Sequence, residues 1–330
     1  IWRASDADVI ILASVKPMKA DFGMMEKKLR IKAIEDDLAR IQIYDIPTFL
    51  STQVVSSRNN IFSFMGGEIN SEKKPLLEFM APIGLFTHSA VQIVDSLDER
   101  LIVQDKNLWI SMYEKQYGLS LMNYLNIARY RNNANIGDLW FAYSTLKKCL
   151  QLSPRSEDAL GMMARITRDL GLKDERLDIL RRVAELFPDD VEVVNVYAEA
   201  LLDHYAQHIS VVNNLELQDV IALYRHCIAL TGGKEERFFI MLGGSLRIAG
   251  KCAEAAEIYK NVLRLRKADE NNTNPESEML LINEIAENYF NAGYIDEAQN
   301  YIDSAQRLGL PNEKMQILSH RIALCRIGIK

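Results

Sequence analysis

From about Asn123 to the C-terminal end, apolar positions recur at helical spacing in paired stretches, and the pairs are punctuated at a regular interval. Gly137 and Gly171 lie 34 positions apart, and so do Pro154 and Pro188. Each glycine falls between two apolar-periodic stretches, where a chain turning from one helix into the next needs a residue tolerant of positive φ. Each proline closes the second stretch, because it has no N–H with which to continue the hydrogen-bond ladder. The grammar returns downstream as Gly243, Gly250, Ala255 and Tyr259, and again as Ala286, Gly293, Ala298 and Ile302. In both sets a small residue precedes the turn glycine by seven positions, a second follows it by five, and a large residue comes four later. Small residues at those places let two helices approach closely, and the large one fills the groove between neighbouring pairs.

Five units follow, at about 123–156, 157–190, 191–235, 236–278 and 279–312. The third has Tyr205 where the turn glycine belongs and an insertion around 208–218. The fourth carries an Asn-rich loop at 269–276, whose Pro275 breaks the helix. An amphipathic stretch at 313–327 is placed to cover the last apolar face of the array. Small residues at the crossing, glycine at the turn and proline at the end make this region resemble the tetratricopeptide repeat (TPR). The resemblance implies a mainly α fold, a right-handed superhelix of helix hairpins whose business is holding protein partners.

The pattern ahead of the repeats is different. Residues 8–14 form a short continuous apolar run before Pro17, which reads as a buried strand of an α/β sheet. Helical spacing then predicts segments at 22–33, 34–41 and 46–55, the last with Pro47 in its first turn. Asn70-Ser-Glu-Lys-Lys-Pro75-Leu-Leu-Glu78-Phe79-Met-Ala-Pro82 resembles the closing motif of spermidine synthase-like membrane proteins, with Ser71 in place of Thr and Glu72-Lys73 where that family is acidic. That likeness implies that residues 1–90 are the C-terminal remnant of a Rossmann-like domain. Residues 91–122 then form a connecting helical segment, and 123–330 the repeats with their capping helix. It also implies a larger parent, an aminopropyltransferase- or methyltransferase-like protein of polyamine metabolism commonly preceded by transmembrane helices. A chain opening on Ile1 with a strand-like segment fits a piece of something longer.

Composition narrows the function. Apolar residues make up 48% and charged residues 25%, the balance of an ordinary globular chain. A net charge of -6 gives no basic surface with which to displace counterions from nucleic acid. No apolar run approaches the roughly 20 residues of a membrane helix, so the expectation is a cytoplasmic chain, although its parent can be membrane-anchored. Cys149, Cys227, Cys252 and Cys325 stand too far apart for a metal ribbon and read as reduced, partly buried thiols.

Chemistry-bearing motifs are sparse. No Gly-x-Gly-type nucleotide loop follows a strand, so a site for a nucleoside cofactor cannot be assembled, and no cofactor is expected. His204 and His208 stand four apart on a helix without a third ligand, and no metal site is expected. Thr231-Gly-Gly-Lys234 lacks the spacing of a phosphate loop and reads as a helix C-cap. The carboxylate pairs Asp36-Asp37, Asp189-Asp190 and Glu235-Glu236 sit at helix starts or on charged faces, where the helix dipole explains them. Trp109 and Trp140 read as core anchors. No catalytic residues are expected, and the chain reads as a protein-interaction scaffold. The alternative is the non-catalytic closing part of an aminopropyltransferase-like enzyme.

In repeats of this kind the first helix of each hairpin lines a concave groove. Carrying that placement onto the chain gives Tyr124, Ile127 and Arg131; Arg165 and Arg168; Asn195 and Glu199; Arg237 and Arg247; and Asn283, Glu287 and Phe290. Of these, Arg131, Arg165, Arg168, Asn195, Arg237, Arg247 and Asn283 form the candidate peptide groove. Arginine forks grip carboxylates and amides fix a peptide backbone, which points to an acidic peptide or protein partner. The same side chains serve equally to solvate the groove, and self-association of the array is a third possibility.

Overall fold

The computed structural model describes residues 2–3, 9–10, 18–54, 56, 105–133, 138–207, 214–268, 274–307 and 313–327. These residues are overwhelmingly helical and group into two compact units, Ile1–Ile179 and Leu180–Lys330.

In the first unit two short strands, β1 (Trp2–Arg3) and β2 (Val9–Ile10), pair antiparallel with Trp2 opposite Ile10. Of the strand expected at residues 8–14, Val9 and Ile10 are described, and they pair antiparallel with β1. Helices α1 (Phe22–Leu29), α2 (Lys32–Arg40) and α3 (Ile46–Ser51) follow. The segment expected at 22–33 ends at Leu29, because Ile31 is extended and resets the chain before α2. Asp45 starts α3 by accepting the Thr48 N–H at 2.7 Å, with Pro47 in the first turn.

Next come α4 (Trp109–Tyr117), α5 (Leu121–Arg131), α6 (Leu139–Leu152) and α7 (Glu157–Asp169). The second oxygen of Asp45 accepts from the Asn123 and Asn126 amides at 3.0 Å each, tying α3 to α5. Phe22, Ile46, Leu50, Leu108, Ile110, Ile127 and Phe141 share one core, so the segment expected as a connector carries buried side chains of its own. Trp2 is the buried tryptophan of this unit. Trp109, expected as an anchor, is half-buried and meets Trp2 edge-on at 5.2 Å between ring centroids. Trp140 is likewise half-buried, edge-on to Tyr143. The motif at Asn70–Pro82 and the turn glycine Gly137 lie outside the described residues.

Helix α8 (Lys173–Leu186) carries the division between the units. The second unit continues with α9 (Val191–Gln207), α10 (Asn214–Leu230), α11 (Glu236–Ile248), α12 (Cys252–Ala268), α13 (Pro275–Asn291), α14 (Ile295–Arg307) and α15 (Glu313–Arg326). From α9 to α15 each helix packs on the next, as in a stack whose elements contact mainly their neighbours. The turns are those the glycines announce. Gly250 has φ +73° and Gly293 φ +85°, and beside them Lys251 N–H bonds Leu246 C=O and Tyr294 N–H bonds Tyr289 C=O at 2.8 and 2.9 Å. Those bonds close a Schellman turn at the end of α11 and of α13, satisfying carbonyls that a helix end would otherwise leave open. Thr231-Gly-Gly-Lys234 turns in the same way after α10, with Gly233 N–H on Ile228 C=O at 2.8 Å. Asn274 caps α13 with Pro275 in its first turn, so the proline read as a helix breaker begins the helix.

Candidate functional site

The site is built on α13. Its stripe of Met279, Ile282, Ile285, Ala286 and Tyr289 is buried at helical spacing, which fixes the rotation of the helix about its axis. That rotation leaves Asn283 and Glu284 on the edge of the packed face, and both line two adjoining cavities. The larger, about 370 Å³, is open on its outer side and is walled by Ile240 and Arg247 of α11, Tyr259 and Arg266 of α12, and Leu280 and Leu281 of α13. The smaller, about 230 Å³, runs toward α15, with Lys314, Ile317, Leu318 and Arg321 as its far wall. Arg247 and Asn283, two of the residues expected to recur in the groove, therefore meet in one cavity. Glu287 lines the smaller one, and Phe290 carries the Arg321 guanidinium over its ring at 4.5 Å.

Polar bonding in the cavity is uneven. Arg266 is fully engaged, donating to both oxygens of Glu236 at 2.8 and 3.0 Å and to the Ser277 carbonyl at 3.0 Å. Arg247 faces Glu284 with Nε 4.0 Å from Oε2. Burial pushes the Tyr259 phenol above its ordinary pKa; the Glu284 charge adds to the rise and Arg247 opposes it. Asn283 is 7% exposed, and neither its Nδ2 nor its Oδ1 has a hydrogen-bond partner.

The other expected groove residues are placed differently. Arg131 is a correction: its side chain is 0% exposed, donates to Asp138 at 2.7 Å and lies 4.3 Å over the Phe141 ring. A guanidinium enclosed by its own carboxylate and an aromatic face cannot reach a ligand, so Arg131 belongs to the core. Tyr124 and Ile127 are buried beside it, Tyr124 donating to Glu114 at 2.7 Å. Arg165 and Arg168 are exposed on α7 in the first unit, with Arg168 bonded to Asp169 at 3.0 Å. Asn195 is buried and donates to Glu199 one turn on at 3.0 Å. Arg237 is held by Glu192 and by Glu235, the latter at 2.7 Å, and is spent on those carboxylates. Sequence reasoning missed Glu284, Lys314 and Arg321. Glu284 adjoins Asn283 in the chain, but no offset pointed to the two basic residues of α15, which reach the site through packing alone.

No family model matches the chain, and no curated protein matches it. Among solved structures it is similar to the MamA protein at 20% identity over 57% of this chain and 91% of that one, with a TM-score of 0.40. It is similar to YrrB, described as a TPR protein with an unusual peptide-binding site, at 11% identity over 64% and 97%, TM-score 0.43. TTC0263, a thermophilic TPR protein of Thermus thermophilus, is similar at 18% identity over 62% and 100%, TM-score 0.33. The fold is mainly α, a TPR-like helical repeat. That statement rests on the chain's own Schellman turns and on the small-residue crossings at Gly243 and Ala255, and at Ala286 and Ala298. Among the described residues no helix is long and apolar enough to cross a membrane, and no cluster of three His, Cys, Asp or Glu side chains is placed to hold a metal ion.

Proposed function

We infer that the chain is a protein-interaction scaffold that holds a peptide segment of a partner along the first helices of its hairpins. The observation that carries this is the convergence of Arg247 and Asn283, two of the residues expected in the groove from repeat position, on one open cavity of about 370 Å³. Such a volume sits at the low end of ligand pockets, suited to a few side chains and not to a large enclosed cofactor. Basic groups at its rim favour an acidic partner. The membrane-attached, spermidine synthase-like parent, its polyamine chemistry and a cytoplasmic setting are carried only by sequence-level reading, chiefly the likeness at Asn70–Pro82. The test is affinity capture from the source cell with wild-type chain and with Arg247→Glu. A specific partner lost on charge reversal supports the reading; capture at undiminished yield removes this cavity from it.

A further inference from the structure

The ridge between the two cavities has a chemical character that narrows the ligand beyond a generic partner. Asn283 Nδ2 and Oδ1 are buried and lack hydrogen-bond partners, and beside them Glu284 Oε2 is buried with no hydrogen bond, facing the Arg247 Nε 4.0 Å away. A buried donor or acceptor left without a hydrogen bond is costly, and native folds retain few of them without a use. Here all three stand on one turn of α13, at the line where the cavities meet.

A carboxamide offers a donor and an acceptor side by side. An inorganic anion would answer only the donor, and a cation only the acceptor. An extended polypeptide answers both, because each residue presents its own N–H and C=O along one edge. Glu284 adds a further acceptor for a neighbouring N–H. The cavities supply the side-chain component. Ile240, Leu280 and Leu281 make the larger apolar, and Ile317 and Leu318 the smaller. Side chains two residues apart on an extended strand leave the same face about 7 Å apart, as two adjoining pockets on either side of a main-chain clamp require. At the rim Arg247, Lys314 and Arg321 outnumber Glu284 and Glu287, which selects against basic flanks and for acidic ones.

We propose that the Asn283–Glu284 ridge clasps the main chain of an extended acidic peptide and seats two apolar side chains, at alternate positions, in the cavities on either side. This rests on the scaffold reading and specifies its ligand: an apolar-x-apolar core with acidic residues flanking it.

The experiment pans random heptapeptides displayed on phage against the full chain. A synthetic peptide of the enriched sequence is then titrated by fluorescence polarisation against wild type, Asn283→Leu and Arg247→Glu. Enrichment of an acidic apolar-x-apolar pattern is expected, with binding at least tenfold weaker for Asn283→Leu and clearly weaker for Arg247→Glu. A peptide N-methylated on the residue that stands between its two apolar residues should lose a comparable amount on the wild-type chain. That arm decides the matter if circular dichroism shows Asn283→Leu to be unfolded. Enriched peptides that depend on Arg247 but tolerate both Asn283→Leu and N-methylation overturn the clasp and leave the scaffold reading standing. No enrichment, or peptides indifferent to both substitutions, overturns the clasp and removes the cavity from the scaffold reading as well.

Discussion

The Tyr259 ring lies against the bare backbone of Gly243, so closely that a Cβ added to the glycine would come within 2.7 Å of its Cζ. The contact sets how closely α11 and α12 approach at this point, and it explains why a helix tolerates glycine at an interior position. The neighbouring Gly244 has no such role: a Cβ added there would meet the Tyr259 hydroxyl at an ordinary 3.9 Å.

Two adjacent Gly→Ala substitutions should therefore have opposite signs. Ala gains about 1 kcal/mol over Gly in a helix interior, and Gly244→Ala should realise much of that. Gly243→Ala must push a buried ring aside, an overpacking cost of about 1–3 kcal/mol, so the net change should be destabilising. Thermal melts of the two variants check this: Tm should rise for Gly244→Ala and fall for Gly243→Ala.

Arg131 should behave as a core residue. Replacing it with Ala leaves Asp138 buried without its cation, and breaking a buried pair in this way costs about 3–5 kcal/mol. Asp138 also accepts the Phe141 N–H at 3.2 Å and so starts α6, which makes the pair a hinge point of local structure. Chemical denaturation should show a large loss of stability for Arg131→Ala, and partner capture at temperatures where the variant is folded should be unchanged.

The four cysteines should divide by burial. Cys149 and Cys227 are buried, Cys252 is half-buried and Cys325 is exposed. Burial raises the Cys149 thiol above its ordinary pKa and pushes Cys227 up to about 11, so near neutral pH both lack the reactive thiolate as well as access. Titration with a thiol reagent on the folded chain should modify Cys325 first and Cys252 more slowly. Cys149 and Cys227 should react only on unfolding, and rapid modification of Cys227 in the native state would contradict the packing around it.

Much of the second unit is legible in the sequence because its determinants are local. A glycine at positive φ, small residues seven before and five after it, and a large residue four later each encode one step of hairpin geometry. Gly250, Gly243, Ala255 and Tyr259 occupy those roles in space. The candidate site is half legible by the same logic: repeat position found Arg247 and Asn283. It failed at Arg131, since an offset cannot tell whether a charged side chain meets a buried carboxylate seven residues on. It also failed at Lys314 and Arg321, whose place depends on α15 packing along α13, a tertiary fact with no local signature. In the first unit, apolar content at residues 8–14 points to a strand but does not reveal its partner; for Val9–Ile10 the partner is β1.

Hydrogen exchange followed by mass spectrometry, on the chain alone and in complex with its affinity-captured partner, tests the central claim most directly. Protection gained on binding should map to α11, α13 and the facing side of α15, with α14 unchanged. Protection concentrated on α14, with none at the Asn283–Glu284 turn, would contradict it.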